Sequence, residues 1–410
     1  MSIEQRLVLV LNAGSSSIKY RLFDMHGPRG RPRTLAKGLL DRVGHADARL
    51  DYQRRLMDGT WIDGVISEPV NDHAAGLALV ARALGECPAL ADGQALYAVG
   101  HRVVHGGERF LKPTRITAEV VAGIRDTIPL APLHNPANLM GIEVSLEHLA
   151  CIPQVAVFDT AFHHTLPPHA YRYALPERLY REHGVRRYGF HGTSHAYVAR
   201  QAAVMLERPL SDLKLITLHL GNGASVTAID GGHSIDTSMG MTPLEGLVMG
   251  TRSGDLDPAI VFYLARETGM DLDAVDALLN QESGLLGIAG SGDMREVLSR
   301  RAAGHPGAAL AFELFCYRIR KYIGAYIAAL GRVDAIVFTG GIGEHAPEVR
   351  ERVCSGLEVL GLHLDEGRNV GKEQGGYAIQ QTGAAVALLV IPTNEELEIA
   401  LQTVAVVEAG

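Results

Sequence analysis

The 410 residues carry 47% hydrophobic and 20% charged side chains, the balance of a globular chain long enough for two or three cored domains. A formal net charge of −8 argues against nucleic acid or an anionic membrane as the main partner, and it requires local cations wherever an anionic substrate is held. Cys87, Cys151, Cys316 and Cys354 stand far apart with no CxxC spacing, so they read as reduced thiols of a cytoplasmic protein.

In chain order, residues 1–6 show no apolar leader run, so no signal peptide is expected. Residues 7–11 are five apolar side chains in succession, a strand buried on both faces. A small-residue loop follows from Asn12. Gly14 permits a tight turn, Ser15, Ser16 and Ser17 add hydroxyls, and residues 18–23 return as a second strand. The tip of this hairpin is rich in donors and suits an anion. Residues 35–40 and 49–52 read as further strands, and 73–84 as a helix ending at Gly85. Residues 95–104 form a strand that runs into the glycine-flanked Arg102-Val-Val-His-Gly-Gly107. Helices are predicted over 117–127 and 135–149, with Ala131-Pro-Leu-His134 between them. A short strand, 154–158, delivers Asp159 at its C-terminal end, where the first domain is expected to close.

The charged stretch 171–187 reads as surface, and Tyr188–His195 as the opening of a helix with Thr193 as its N-cap. A second hairpin spans 213–230, with Gly221-Asn-Gly223 at its tip. Residues 257–267 are helical with Pro258 in the first turn. Residues 306–330 form a long helix whose apolar stripe keeps helical spacing. A strand at 335–338 leads into Thr339-Gly-Gly-Ile-Gly-Glu344. The last strand is 385–391, the longest clean apolar run starts at 384 and is too short to span a bilayer, and Thr393 or Asn394 caps a terminal helix that packs back on the first domain. Strands followed by alternating helices and strands indicate an α/β layer structure.

The two hairpins align loosely as apolar strand, Gly-rich tip, return strand and Asp, which points to an internal duplication. Neither tip is a GxxxxGK[ST] loop, and the third Gly-rich loop lacks GxGxxG spacing. Arg102 and Arg252 are both flanked by glycines that would expose them to a ligand, and their planar forks suit a carboxylate or phosphoryl group. His191 and His195, like His101 and His105, stand four apart. Zinc is disfavoured for both pairs, because neither has the Glu of HExxH or an evident third ligand. Asn12, Asp159 and Glu395 are candidate oxygen ligands or aligners. Anion cradles, cations around the migrating group, a divalent metal and alignment are what phosphoryl transfer needs, and the sequence supplies candidates for each.

Seven segments then carry a specific resemblance: NAGSSSIK at 12–19, GHRVVHGG at 100–107, YGFHGTSH at 188–195, HLGNGAS at 219–225, MTPLEGLVMGTRSGDLDP at 241–258, FTGGIGEH at 338–345 and TNEEL at 393–397. In order and over nearly the whole chain, they resemble the acetate kinase (acetokinase) family. The resemblance implies two duplicated actin-like ATPase domains of ribonuclease H-like fold with an interdomain cleft that closes on ligands. The domains would be 1–160, completed by the C-terminal helix 393–410, and 161–392, the nucleotide-binding one. The implied activity is reversible transfer of the ATP γ-phosphoryl group to acetate. A propionate or butyrate kinase is the alternative, and an ATPase of the actin/Hsp70 class the more distant one.

The resemblance also implies roles. Arg102, Arg252, His191, His134 and Asp159 would be catalytic, and Arg102, Val104, Leu133 and Pro243 would meet the acyl substrate. Asn12 and Glu395 would hold Mg²⁺, with Mn²⁺ as the substitute. The ATP/ADP side would comprise Lys19, His219, Leu220, Gly221, Asn222, Gly223, Asp293, Met294, Arg295, Gly341, Ile342 and Gly343, with Glu344 and His345 behind them. His163, His164 and His169 read as structural. A cytoplasmic homodimer is expected, without nucleic-acid or membrane partners.

Overall fold

The computed structural model describes residues 6–27, 30–91, 95–371 and 375–410, so the leader reading of residues 1–5 lies outside it. The chain divides into two compact units, Met1–Ala161 with Asn394–Gly410, and Phe162–Thr393.

The first unit contains eight strands: β1 (Leu7–Ala13), β2 (Ser17–Asp24), β3 (Arg33–Asp41), β4 (Arg49–Arg55), β5 (Trp61–Ser67), β6 (Ala98–Val103), β7 (Thr114–Arg115) and β8 (Gln154–Phe158). Their order in the sheet is β5-β4-β3-β2-β1-β6-β8-β7. The second unit contains β9 (Lys214–Leu220), β10 (Ala224–Asp230), β11 (His233–Thr237), β12 (Ala335–Thr339), β13 (Tyr377–Ala378) and β14 (Ala387–Val390), ordered β11-β10-β9-β12-β14-β13. From β3 to β7 the first sheet repeats the second strand for strand. In each, the first three strands pair antiparallel, the next two join in parallel, and the last is antiparallel again. The duplication visible in two hairpins thus extends to whole sheets, the doubled ribonuclease H-like arrangement expected from the sequence.

The apolar run of β1 is explained by its central place. Leu7, Leu9 and Leu11 join the cluster that includes Leu79 and Val80 of the His73–Gly85 helix, whereas Val8 and Val10 join Ile399 and Ala400 of the terminal helix. Alternate side chains therefore feed two cores. β5 was not predicted, because most of its side chains are exposed and nothing in its pattern demands a core. In the second unit the Pro306–Leu330 helix buries Phe312, Phe315, Cys316, Ile319, Ile323, Tyr326 and Leu330, as its stripe predicts.

One helix start differs from expectation. The helix Gly192–Met205 is headed by His191 at φ 56°, and Thr193 lies buried in its first turn without acting as the cap. At the other end of the chain, Asn394 caps the Glu395–Ala409 helix, its side chain accepting from the Leu397 amide at 3.2 Å. That helix lies on β1, β6 and β8.

Its seat on β6 depends on the absence of a side chain at Gly100. A Cβ there would lie 2.4 Å from Thr403 Oγ1 and 2.9 Å from Ile399 Cγ2. Gly100→Ala is expected to lower stability by about 1–3 kcal/mol through overpacking. Urea denaturation measures it, and an unchanged midpoint would show that the helix shifts without cost.

Candidate active site

In the first unit, the candidate residues gather at the C-terminal ends of parallel strands. Arg102 of β6 donates from Nη2 to Asp159 Oδ2 at 2.9 Å, and Asp159 is 1% exposed just beyond β8. Burial opposes the Arg102 charge, but Asp159, Glu395 and Glu396 outweigh it and raise the pKa of the guanidinium. Arg102 Nε is buried with no hydrogen-bond partner, so part of the fork is uncommitted.

Two asparagines that sequence reading passed over hold the adjoining loop. Asn138 accepts from the Val104 amide at 2.9 Å and donates to the Ala13 carbonyl at 2.6 Å, tying that loop to the end of β1. One turn earlier, Asn135 accepts from the His105 amide at 3.1 Å and donates to the His105 carbonyl at 3.0 Å. Val104 is buried, whereas Leu133 is 64% exposed on the loop before the Asn135–His148 helix, which His134 heads.

Asn12 is the penultimate residue of β1, opposite Lys19 in the hairpin register. Lys19 is ion-paired with Glu396, which also meets Arg21 at 3.6 Å. Burial works against ionising Glu396, yet Arg21 and Lys19 hold its pKa below the ordinary range. The neighbouring Glu395 is half-buried and close enough to Arg102 for the charges to interact. Asn12, Asp159 and Glu395 offer hard oxygens. Among the described residues no group of three or more His, Cys, Asp or Glu could itself hold a metal. That set fits Mg²⁺, which takes few protein oxygens and fills its shell with water and phosphate oxygens.

Both candidate zinc pairs fail. His101 lies on β6, bonds Gln154 Oε1 at 2.7 Å, and is pushed down to about pKa 4 by burial. His191 Nδ1 and His195 Nε2 both contact Ser225 Oγ, at 2.9 and 2.7 Å. His163, read as structural, bonds Ser234 Oγ and the Phe190 carbonyl, each at 2.9 Å.

The second unit brings Gly-rich loops into van der Waals contact. The Gly250 amide donates to the Asn222 carbonyl at 2.9 Å, and a Cβ at Gly250 would fall 1.9 Å from Asn222 Oδ1. A Cβ at Gly340, whose φ is +76°, would fall 2.7 Å from the Leu220 carbonyl oxygen. A cavity of about 420 Å³ opens between these loops. It is lined by the predicted Gly221, Asn222, Asp293, Met294, Arg295, Gly341, Ile342 and His345, together with Gly292, Leu298 and Ala346, which were not predicted.

Leu220, Gly343 and Glu344 are among the predicted residues that do not line this cavity. The Leu220 side chain is buried in β9. Gly343 is buried, and its Cβ position faces the backbone of Phe338 and Leu218. Glu344 turns its carboxylate to the backbone and accepts from the amides of Gly340 at 3.0 Å and Thr393 at 3.2 Å, so it ties its own loop to the segment before the terminal helix.

His191, Arg252 and Gly223 converge. A Cβ at Gly223 would lie 3.4 Å from His191 Nε2 and 3.6 Å from Arg252 Nη1. The His191 ring stacks on His219 with centroids 4.3 Å apart. Arg252 Nη1 reaches only Met249 Sδ, at 3.9 Å, and no carboxylate among the described residues offsets its charge, which burial alone disfavours. Pro243 sits on a loop braced by Glu245, which receives Arg187 Nη2 at 2.5 Å and the Tyr173 hydroxyl.

The family model of the acetokinase family matches residues 7–401. An acetate kinase of Syntrophobacter fumaroxidans is 55% identical over 97% of this chain and 96% of its own length. Among solved structures, the acetate kinase of Porphyromonas gingivalis superposes with a TM-score of 0.90 at 43% identity, covering 98% of this chain and 100% of that one. A propionate kinase from Francisella tularensis gives a TM-score of 0.89 at 41% identity, covering 98% and 99%. The chain belongs to the acetokinase family.

Asn138→Ala would leave the Val104 amide and the Ala13 carbonyl unpaired. It is expected to cost about 1–3 kcal/mol of stability, because a buried backbone group left unsatisfied is expensive. Thermal and urea unfolding measure this, and wild-type stability would show that water replaces the amide freely.

Proposed function

We propose that this acetokinase-family chain reversibly transfers the γ-phosphoryl group of ATP to acetate, giving acetyl phosphate and ADP. The observation that carries the reading is the convergence of His191 Nε2 and Arg252 Nη1 on Gly223. A guanidinium without a carboxylate partner, an imidazole nitrogen and a bare glycine backbone form a cradle for an anion. An incoming phosphoryl group supplies the missing counter-charge, and more so as charge spreads over its equatorial oxygens. The relatives named acetate kinase support the same reading.

The nucleophile is the acetate carboxylate, already ionised at neutral pH, so attack on the γ-phosphorus needs no general base. The rest of the chemistry is positioning. Arg102, its fork held by Asp159, binds the carboxylate, and Val104, Leu133 and Pro243 border the methyl group. His134 serves as a further donor. Gly221, Asn222 and Gly223 hold phosphates, with Lys19 and His219 as supporting groups. Gly341 and Ile342 border the adenosine, and Asp293, Met294 and Arg295 its base and ribose. Asn12 and Glu395 would hold Mg²⁺, or Mn²⁺ in its place, with Asp159 aligning it. The ion supplies charge neutralisation to the transferring phosphates. In this reading residues 1–160 with 393–410 carry the metal groups and, apart from Pro243, the acyl groups, and 161–392 carries the nucleotide groups apart from Lys19.

A cytoplasmic homodimer completes the proposal. Among the described residues no helix is long and apolar enough to cross a membrane. Phe262, Tyr263, Leu310 and Tyr317 leave exposed apolar surface on two helices of the second unit, which suits a partner copy. A propionate preference is the second reading, favoured by the likeness to the Francisella tularensis enzyme.

ADP release should require a short carboxylate, with acyl phosphate trapped by hydroxylamine. Arg252→Ala should fold normally and lose roughly 10²–10³-fold in kcat. ATPase activity indifferent to every short carboxylate would refute the kinase reading. Val104→Ala should raise the propionate-to-acetate ratio of kcat/KM by about tenfold, since one methylene in an apolar pocket is worth about 1–3 kcal/mol. The same ratio on the unaltered enzyme separates the two acyl readings.

A further inference from the structure

We propose that Thr217, His195 and Ser225 form a polarised hydrogen-bond chain that fixes the tautomer of His191, so that its Nε2 presents a proton to the transferred phosphoryl group. The inference rests on the acyl-phosphate reading above for its purpose, but not for its geometry.

His191 has φ 56°, the left-handed region that a non-glycine residue occupies only at a cost. Two contacts orient its ring. One face stacks on His219, whose Nδ1 is 2.8 Å from Ser194 Oγ. Nδ1 meets Ser225 Oγ at 2.9 Å, and a Cβ at Gly223 would lie 3.4 Å from Nε2 and 3.6 Å from Arg252 Nη1.

Behind Nδ1 runs a dry chain. Ser225 Oγ is 2.7 Å from His195 Nε2, and His195 Nδ1 is 2.7 Å from Thr217 Oγ1. Ser225, His195 and Thr217 all have 0% exposure. His195 stays neutral, since burial, reinforced by His163, His219 and His191, holds its pKa well below the ordinary value. A neutral imidazole has one N–H, and the serine has one O–H to share between two rings.

The far end sets the direction. Among the described residues the Thr217 hydroxyl has only His195 as a hydrogen-bond partner. If it accepted from His195, its own buried proton would be orphaned, which is costly. It therefore donates to His195 Nδ1. His195 Nε2–H then donates to Ser225 Oγ, and the Ser225 hydroxyl donates to His191 Nδ1. With Nδ1 accepting, the proton of neutral His191 must sit on Nε2. The opposite polarity would aim a lone pair at phosphoryl oxygens. Ser225, His195 and Thr217 are thus positioning residues, acting through His191.

Histidine ¹⁵N–¹H long-range spectra of the ligand-free protein test this, with His191→Gln used to assign the ring. The unaltered protein should show His191 in the Nε2–H form. Ser225→Ala should shift it toward the Nδ1–H form, lower kcat about 10–100-fold and leave the ATP KM within about twofold. Ser225→Thr, which keeps the hydroxyl, should retain the Nε2–H form. The near-isosteric Thr217→Val removes the far donor and should also redistribute the His191 tautomers. A His191 that keeps its Nε2–H signal in folded Ser225→Ala and Thr217→Val overturns the proposal, even if activity falls. The spectra need no substrate, so their outcome is independent of which acyl group the enzyme accepts.

Discussion

Parallel pairing at the centre of each sheet is the constraint from which the rest follows. In the first unit β1, β6 and β8 run in one direction, so their C-terminal ends share an edge. Asn12, Arg102 and Asp159 occupy or immediately follow those ends. In the second unit β9 and β12 do the same for Gly221 and Gly340. Open α/β sheets collect ligands at this edge because strands deliver loops there from several points in the chain. The antiparallel hairpins β1–β2 and β9–β10 add a tip beside each edge at the cost of only a few loop residues.

Two arginines on this scaffold are treated in opposite ways. Arg102 is held by a buried carboxylate, with further acidic charge nearby, so its position and charge are fixed before any ligand arrives. Breaking such a pair from one side leaves an uncompensated buried charge, which is why Asp159 is as consequential as the arginine. Among the described residues Arg252 has no such partner, and burial disfavours its charge. A bound anion would relieve that cost by supplying the missing counter-charge. The first arrangement suits orientation of a substrate, the second suits stabilisation of transferring charge.

The sequence disclosed what is local or periodic. Five consecutive apolar residues announced β1, and glycines announced the loops. The long helix followed from its stripe. What it did not disclose depends on partners distant in the chain. Asn138 reads as one polar residue on a helix until it is found bonded to Ala13, 125 positions away. Ser225 closes the HLGNGAS segment at 219–225, yet its hydroxyl gains meaning only between His191 and His195. Thr193 looked like a cap because it is a threonine before a helix. A left-handed histidine leaves no compositional trace, so His191 was not seen to hold that position. The contacts of Glu344 were hidden for a related reason. A carboxylate after a Gly-rich loop can face a ligand or turn back on its own amides, and only coordinates distinguish the two.

The duplication also explains how one strand frame came to hold two unlike sets of loops. By strand order β6 corresponds to β12 and β1 to β9. The end of β6 carries Arg102, followed by a loop pinned by side-chain amides. The end of β12 instead carries Gly340, which opens a helix at once and can do so only because no Cβ meets Leu220. Equivalent positions have thus been filled in one copy with a charged fork and in the other with bare backbone. A cation that must be aimed needs side-chain bracing, and the first unit supplies Asp159, Asn135 and Asn138. A cavity for a bulky ligand needs close loop approach, and the second unit supplies Gly250, Gly292 and Gly340. The strand frame sets where the chemistry occurs, and the choice between glycine and braced side chain at each strand end sets which chemistry it is.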